Sequence, residues 1–350
     1  MATDWTKAMG QSIRYFRVDR DTMRDVAELT QVHDCTINRD SESDLLTSGS
    51  FSVDGDLPDA ETWVRVYLYA TQGGTTERVA VDTVLAQAPT SPDDGTPNAR
   101  SADAYGPALE LRDDSPHFGW CAQGSAQAAA AEIASHGHAP VVGTLDGDLP
   151  APIVAGEQDS WMTMLDATLA AKGHVRDVDA FGRHLMRPVS DVAALMPSWT
   201  FRDDGRSIIV GVDVDRDVYQ VHNVCEVVRT DETGTVVGTA INDDPASETS
   251  TARLGRRKLL RVINPDELPP GSSQEQADEL ATRMLREDSV ITTTYKLRHG
   301  YCPPRPGHCV ALRYRRRGID DVGLVVAQKV QCSTGVLVES TIRSTRSTWR

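Results

Sequence analysis

The sequence predicts a β-rich α+β protein of several domains, and three observations predict it. Runs of β-branched and aromatic residues, punctuated by Gly-Gly and Asp-Gly turns, fill both ends of the chain. Between them lie two stretches whose apolar residues recur at helical spacing behind proper caps. With 350 residues, 39% hydrophobic and 25% charged, the chain can bury two or three cores and is too apolar to stay disordered.

The first ninety residues read as strands. "CTINRD" and "SGSFSVDGD" form two, the second ending at the Asp54-Gly55 turn. "WVRVYLYA" (Trp63–Ala70) and "ERVAVDTVL" flank Gly73-Gly74 and predict a hairpin, with Val79, Val81, Thr83 and Leu85 on one face. Residues 89–117, rich in Pro, Gly, Ser and Asp, read as a long connecting loop.

Two helices follow. "GSAQAAAAEIASHG" is capped at Ser125 and stops at Gly137. "DSWMTMLDATLAAKG" opens at Asp159 or Ser160 and ends at Gly173, its buried stripe made by Trp161, Met164, Leu165 and Leu169. "HVRDVDAFGRHLMRP" predicts a strand pair turning at Gly182. From Ser198 strands dominate: "RSIIVGVDV", "HNVCEVVR", "GTVVGTAIN", "RRKLLRVIN", "ITTTYKLR", "HCVALRYRR", "GLVVAQKVQC" and "GVLVESTIR". One helix interrupts them, opened by a capping box in Ser272-Ser273-Gln274-Glu275. The expected domains are 1–117 (β, completed by strands within 198–229), 118–197 (α/β) and 198–350 (β, with one helix at 272–288). The repeat of "DGDLP" at Asp54–Pro58 and Asp146–Pro150 reads as two Asp-Gly turns rather than a duplication.

The formal net charge of −15 argues against gripping nucleic acid, which takes clustered Lys and Arg. It suits a passage through which nucleic acid slides. The chain has no apolar run of spanning length, and "MATDWTKAMGQSIRYF" has no apolar core of a signal peptide, which predicts synthesis in the cytoplasm. Six cysteines (Cys35, Cys121, Cys225, Cys302, Cys309, Cys332) are expected there as reduced, mostly buried thiols.

The stretch closest to chemistry is "HGYCPPRPGHCVALRY", His299–Tyr314. His299, Cys302, His308 and Cys309 are zinc-ligand types, but Cys302 and Cys309 stand too far apart for one knuckle. Alternation along the following strand sends His308 and Cys309 to opposite faces. A stiff proline turn with buried thiols is favoured over a disulfide or a metal site. Asp213, Asp215 and Asp217 start like a calcium loop, but Val218 and Val224 occupy the positions of its Gly and Glu, so an acidic strand edge is expected. His136 and His138 read as a solvated turn. "RYRRRG" (Arg313–Gly318) is a basic hairpin tip, either solvated or set against phosphate or an acidic neighbouring subunit. No phosphate loop, dinucleotide fingerprint or nucleophile elbow is present, so no catalytic residue, cofactor or metal is assigned.

The order of several blocks resembles the tail hub proteins of bacterial viruses, the baseplate-hub or tail-tip proteins beneath the tail tube. The blocks are "SIRYFRVD", "TSGSFSVDGDLPDAETWVRVYL", "DSWMTMLDATLAAKGHVRDVDAFGRHLMRP", "PSWTFRDDGRSIIVGVDVDRDVYQVHNVCEVVR", "INDDPASETSTARLGRRKLLRVINPDEL" and "HGYCPPRPGHCVALRY" with "GLVVAQKV". The resemblance implies two tail-tube-like β-barrel domains with a small α/β insertion between them. It implies a homotrimeric ring that adapts a sixfold tube to a threefold tip and lets tape measure protein and DNA pass, with no reaction catalysed. The implied partners are a distal tail protein or tube ring, the tape measure protein, and a tip or fibre protein. The implied location is the distal end of the tail. In this family a P-x-x-G-x-x-V-x-L pattern opens a barrel strand, and "PRPGHCVAL" fits it at Pro304–Leu312. The sequence ends at Arg350 without a fibre or hydrolase extension, which predicts a separate host-contacting protein. Interface residues are expected at exposed turns: Trp63, Gly73 and Gly74 in the hairpin, and Arg315, Arg316 and Arg317. The rival readings are a tail-tip cell-wall hydrolase with a metal at His299, Cys302 or His308, and a carbohydrate-binding tail module, for which 5% aromatic residues are sparse.

Overall fold

The computed structural model describes residues 3–89, 99–189, 195–203, 210–232, 234–333 and 335–349. The chain divides into two compact units, Met1–Val212 with Lys296–Ile342, and Asp213–Tyr295 with Arg343–Arg350.

The first unit starts with seven strands: β1 (Gly10–Val18), β2 (Asp25–Glu28), β3 (Val32–Asp40), β4 (Thr47–Asp54), β5 (Glu61–Gln72), β6 (Thr75–Gln87) and β7 (Ala99–Tyr105). They pair antiparallel in the order β3–β4–β7–β6–β5–β1–β2. The sheet wraps one apolar core that includes Tyr15, Ile37, Phe51, Val64, Val66, Leu68 and Ala104. Tyr15 on β1 donates its hydroxyl to the His33 carbonyl at 3.0 Å, so β1 returns over β3 across that core. Among the described residues no ladder joins the two strands. Among the described residues no sheet closes into a ring of paired strands, so the expected barrels are open, curled sheets.

The turn chemistry of the β5–β6 hairpin is as the sequence predicts. Gln72 faces Thr75, and Gly73 and Gly74 between them have φ of 58° and 80°. The single buried face is not. The register shifts between Val66 and Tyr67, leaving Val81 unpaired as a bulge, and Val81 through Ala86 are all buried. Beyond the bulge Val84 and Ala86 join the inner core, while Leu85 packs outward with Trp63.

Two elements occupy the segment expected to be a loop, β7 and α1 (Ala108–Asp113). Strand β7 carries only Ala102 and Ala104 inward, too little hydrophobicity to announce a strand, but they fit between β4 and β6. The α/β module adds β8 (Cys121–Ala122), α2 (Ala126–Ala134), β9 (Val141–Val142), β10 (Ile153–Val154), α3 (Trp161–Ala170), β11 (His174–Val178) and β12 (His184–Pro188). Ser125 caps α2, Ser160 and Thr163 form a capping box on α3, and Gly182 turns β11 into β12 with φ 79°. The four stripe residues of α3 are all buried, in a core that also takes in Trp63 and Leu85. Both faces of the hairpin base are therefore covered. β13 (Trp199–Arg202) pairs parallel with β19 (Cys309–Tyr314), and β19 pairs with β20 (Ile319–Gln331), which lies against β3.

In the second unit, β14 (Val210–Asp217) contributes its residues from Asp213 onward; Arg206–Ile209 of the predicted strand lie outside the described residues. Strands β15 (Val224–Asp231), β16 (Gly234–Ile241) and β17 (Leu259–Ile263) form a sheet in the order β16–β15–β17. A short α4 (Thr251–Leu254), which the sequence reading passed over, precedes β17. Helix α5 (Gln274–Asp288) packs Ala277, Leu280, Ala281 and Leu285 onto Cys225, Val227 and Ala240. Its capping box is Ser273 with Gln276, one residue later than Ser272-Glu275, and the Ser272 hydroxyl donates to the Pro269 carbonyl instead. β18 (Val290–Gly300) and β21 (Leu337–Ser347) have residues in both units.

Candidate assembly surfaces and the buried ionic centre

The first unit encloses a charged centre that the sequence reading missed. Asp82 is 0% exposed and accepts from two guanidinium groups, Arg39 Nε at 2.6 Å and Arg305 Nη2 at 3.0 Å. The bulge at Val81 leaves that carbonyl outside the ladder, and both arginines donate to it, each at 2.7 Å. Arg39 also donates to Gln328 Oε1 at 2.9 Å. The Gln328 amide reaches the Pro304 carbonyl at 3.0 Å and Ser340 Oγ at 3.1 Å. The chain of bonds ends on His299 Nε2, 2.8 Å from Ser340 Oγ. One network thus ties β3, β6, β20 and β21 to the proline turn. A signal existed: Arg39 continues the inward phase of Cys35 and Ile37, and a charge in that phase must be paired when buried.

This network accounts for the stretch His299–Tyr314. His299 is buried, bonded to Ser340 and to the Gly300 carbonyl, and burial pushes its imidazole down to about 4. Cys302 is buried with its thiol 3.5 Å from His299 Nδ1, and burial pushes it up to about 12. His308 is exposed and Cys309 buried, on opposite faces as alternation requires. All six cysteines are free thiols. Among the described residues no three His, Cys, Asp or Glu side chains converge as metal ligands. Space does bring carboxylates to the other histidine pair. His138 Nδ1 lies 2.9 Å from Glu110 Oε1, and His136 stacks on Trp161 with Asp114 at 3.7 Å. His136 and His138 are both exposed, as a solvated turn predicts, and each also has a carboxylate beside it that the sequence does not place there.

The expected interface residues fall into two groups. Trp63 is 2% exposed and packs in the core of the α/β module, so it has no surface left to offer a partner. Its edge only borders a shallow groove with Arg17, Arg20, Val26 and Asp59. Gly73 and Gly74 stand at an open tip with nothing near the position a Cβ would take. Arg315–Arg317 form an exposed 3-10 turn closed by Gly318 at φ 67°. Arg316 N donates to Asp203 at 3.0 Å and Arg317 Nη1 to the Val212 carbonyl at 3.0 Å, which fixes the backbone of the tip. Asp213, Asp215 and Asp217 lie on β14 as an exposed acidic strand edge.

Compared with solved structures, the chain matches the crystal structure of a tail protein from Neisseria meningitidis MC58 at 14% identity. The match covers 96% of this chain and 97% of that one, with a TM-score of 0.59. It matches the prophage MuSo2 tail protein from Shewanella oneidensis at 12% identity over 95% and 98% of the two chains, with a TM-score of 0.59. The chain has the fold of these phage tail proteins. No family model matches it, and no curated protein is found similar in sequence. At such identity the likeness is one of backbone architecture. The Arg39–Asp82–Arg305 centre and the strand edges are features of this chain's own residues.

Proposed function

We propose that the protein is a structural hub at the distal end of a bacteriophage tail. Three copies form a ring that adapts a sixfold tail tube to a threefold tip and lets tape measure protein and DNA pass on ejection. The observation that carries this reading is the shared fold with two phage tail proteins over nearly the whole of each chain. Two physical features support it. A net charge of −15 disfavours adhesion of DNA to the wall of a passage. The histidine and thiol groups closest to chemistry, His299 and Cys302, are buried and engaged in holding a turn, which suits a scaffold that catalyses no reaction. The partners are a distal tail protein or tube ring above, the tape measure protein inside, and a tip or fibre protein below. The Gly73-Gly74 and Arg315–Arg317 tips are the contacts we assign to them.

Gold labelling of a C-terminal tag on purified virions tests the reading. Label at the far tail end, at about three copies per particle, is expected for a closed C3 ring. Label along the tail shaft, at the head, or absent from particles that contain the protein would refute it.

A further inference from the structure

The second unit treats its strand edges unequally. At the outer edge of β16, α5 supplies side chains in place of a neighbouring strand. Asp278 Oδ1 accepts from Thr239 N at 2.9 Å, and Gln274 Nε2 donates to the Val237 carbonyl at 2.7 Å. This edge is sealed. At the other end of the same sheet, β17 pairs with β15 alone among the described residues. Its Leu259 and Ile263 are 39% and 65% exposed. The residues that lead into it are Arg256, Arg257 and Lys258, and Arg261 lies within it, held by Glu226 at 2.7 Å. A second open edge lies in the same unit. Among the described residues β14 pairs with β18 alone, and from Asp213 to Asp217 every residue is exposed, so this stretch is covered on neither face. It alternates Asp213, Asp215 and Asp217 with Val214 and Arg216.

An uncovered strand with free backbone donors and acceptors is a template for another strand, and stable monomers blunt such edges. Here one edge is blunted with two specific side chains while two are left open, and the open ones carry opposite charge. We propose that β14 of one copy adds to the β17 edge of the next copy, so that the two open edges of this chain are each other's partners. The acidic face of β14 then lies beside Arg261, with Arg256 and Arg257 at its end. Val214, on the other face, then lies on the side of Leu260, which packs against the core beneath α5. The contact joins two different surfaces, so it propagates from copy to copy and ends only by closing into a ring. The inference rests on the ring reading above and supplies its interface.

The test uses the purified full chain in four forms: the wild type, D213K/D215K, R256E/R257E, and the chain with all four reversals. All four positions are exposed, and native mass spectrometry with sedimentation reads the oligomer. The wild type is expected to form a closed trimer. Each double reversal sets like charges against each other and should raise the concentration for half-assembly by at least about tenfold. The fourfold variant, with both signs exchanged, should restore assembly. A wild-type trimer that neither reversal weakens, or that the fourfold variant fails to restore, overturns the edge pairing and leaves the ring reading standing. A wild type that stays monomeric at every accessible concentration overturns the ring and the edge pairing together.

Discussion

Replacing Asp82 by Ala should be among the most damaging single changes in the chain. Among the described residues the fully buried carboxylate is the one acidic partner of Arg39 and Arg305, whose guanidinium groups it holds at 2.6 and 3.0 Å. Arg39 is itself only 3% exposed. Without Asp82 it keeps its bonds to Gln328 and the Val81 carbonyl but has lost its counter-charge. Breaking a buried pair by removing one partner costs about 3–5 kcal/mol, because an uncompensated charge stays buried. In a domain of this size about 1 kcal/mol moves the melting temperature by roughly 2–4 °C, so the transition of the first unit should fall by roughly 6–20 °C. Scanning calorimetry reads it directly. Removing the fully buried pair, as R39M/D82L, should cost less than D82A alone, since the one guanidinium then left without its counter-charge is that of Arg305, which is 16% exposed and reaches water. A D82A melting temperature within about 2 °C of wild type, or a double variant no better than the single one, would refute the account of the network as a charge-paired centre.

Acid should weaken the fold through two buried histidines. Burial pushes His299 down to about 4 and His184 down to about 3, against an ordinary value of 6.5. Between those limits the unfolded chain binds protons that the folded chain refuses, so stability is intact above 6.5 and falls as pH drops toward 4. His299 alone accounts for about 3 kcal/mol of this loss, and H299Q should flatten the decline of denaturant midpoint with pH over that window. In the second unit, a Cβ on Gly238 would sit 2.0 Å from the Ala277 carbonyl oxygen, so Gly238→Ala must push α5 off the sheet. It should destabilise that unit by roughly 3 kcal/mol, seen as early hydrogen exchange in α5. Ser273→Ala removes the side-chain acceptor for Gln276 N and should cost about 1 kcal/mol in the same unit, read by the same exchange.

Much of the architecture was legible because local rules carry it. Gly73-Gly74 demanded a tight hairpin and has positive φ at both residues. The caps at Ser125 and Ser160 lie where the residue types place them, and every strand read after Ser198 has a counterpart among the described residues. What stayed hidden depends on long-range packing. Strand β7 shows only small alanines, whose burial is decided by neighbours distant in sequence. The bulge at Val81 reverses the phase of a strand, and alternation cannot foresee an inserted residue. Trp63 is expected at the surface as part of an exposed hairpin, but its outward face is covered by residues from Ala108 onward that are distant in sequence. The charged centre joins positions 39, 82, 305 and 328, and no local pattern relates them.

The two kinds of polar group in this protein separate what must be rigid from what must meet a partner. In the first unit Arg39, Asp82, Arg305, Gln328 and Ser340 satisfy one another inside the fold, and such a network fixes the relative placement of several strands and a turn at the cost of desolvation. In the second unit the charges of β14 and β17 stay at open edges, where they are worth little to the isolated chain. Exposed like charges along β14 repel one another and keep the lone chain from pairing with a second copy through that same edge. Opposite charges on β17 make the same residues attractive to that edge and no other. Under the proposed edge pairing, this asymmetry disfavours like-to-like pairing of copies and sets one sense of closure.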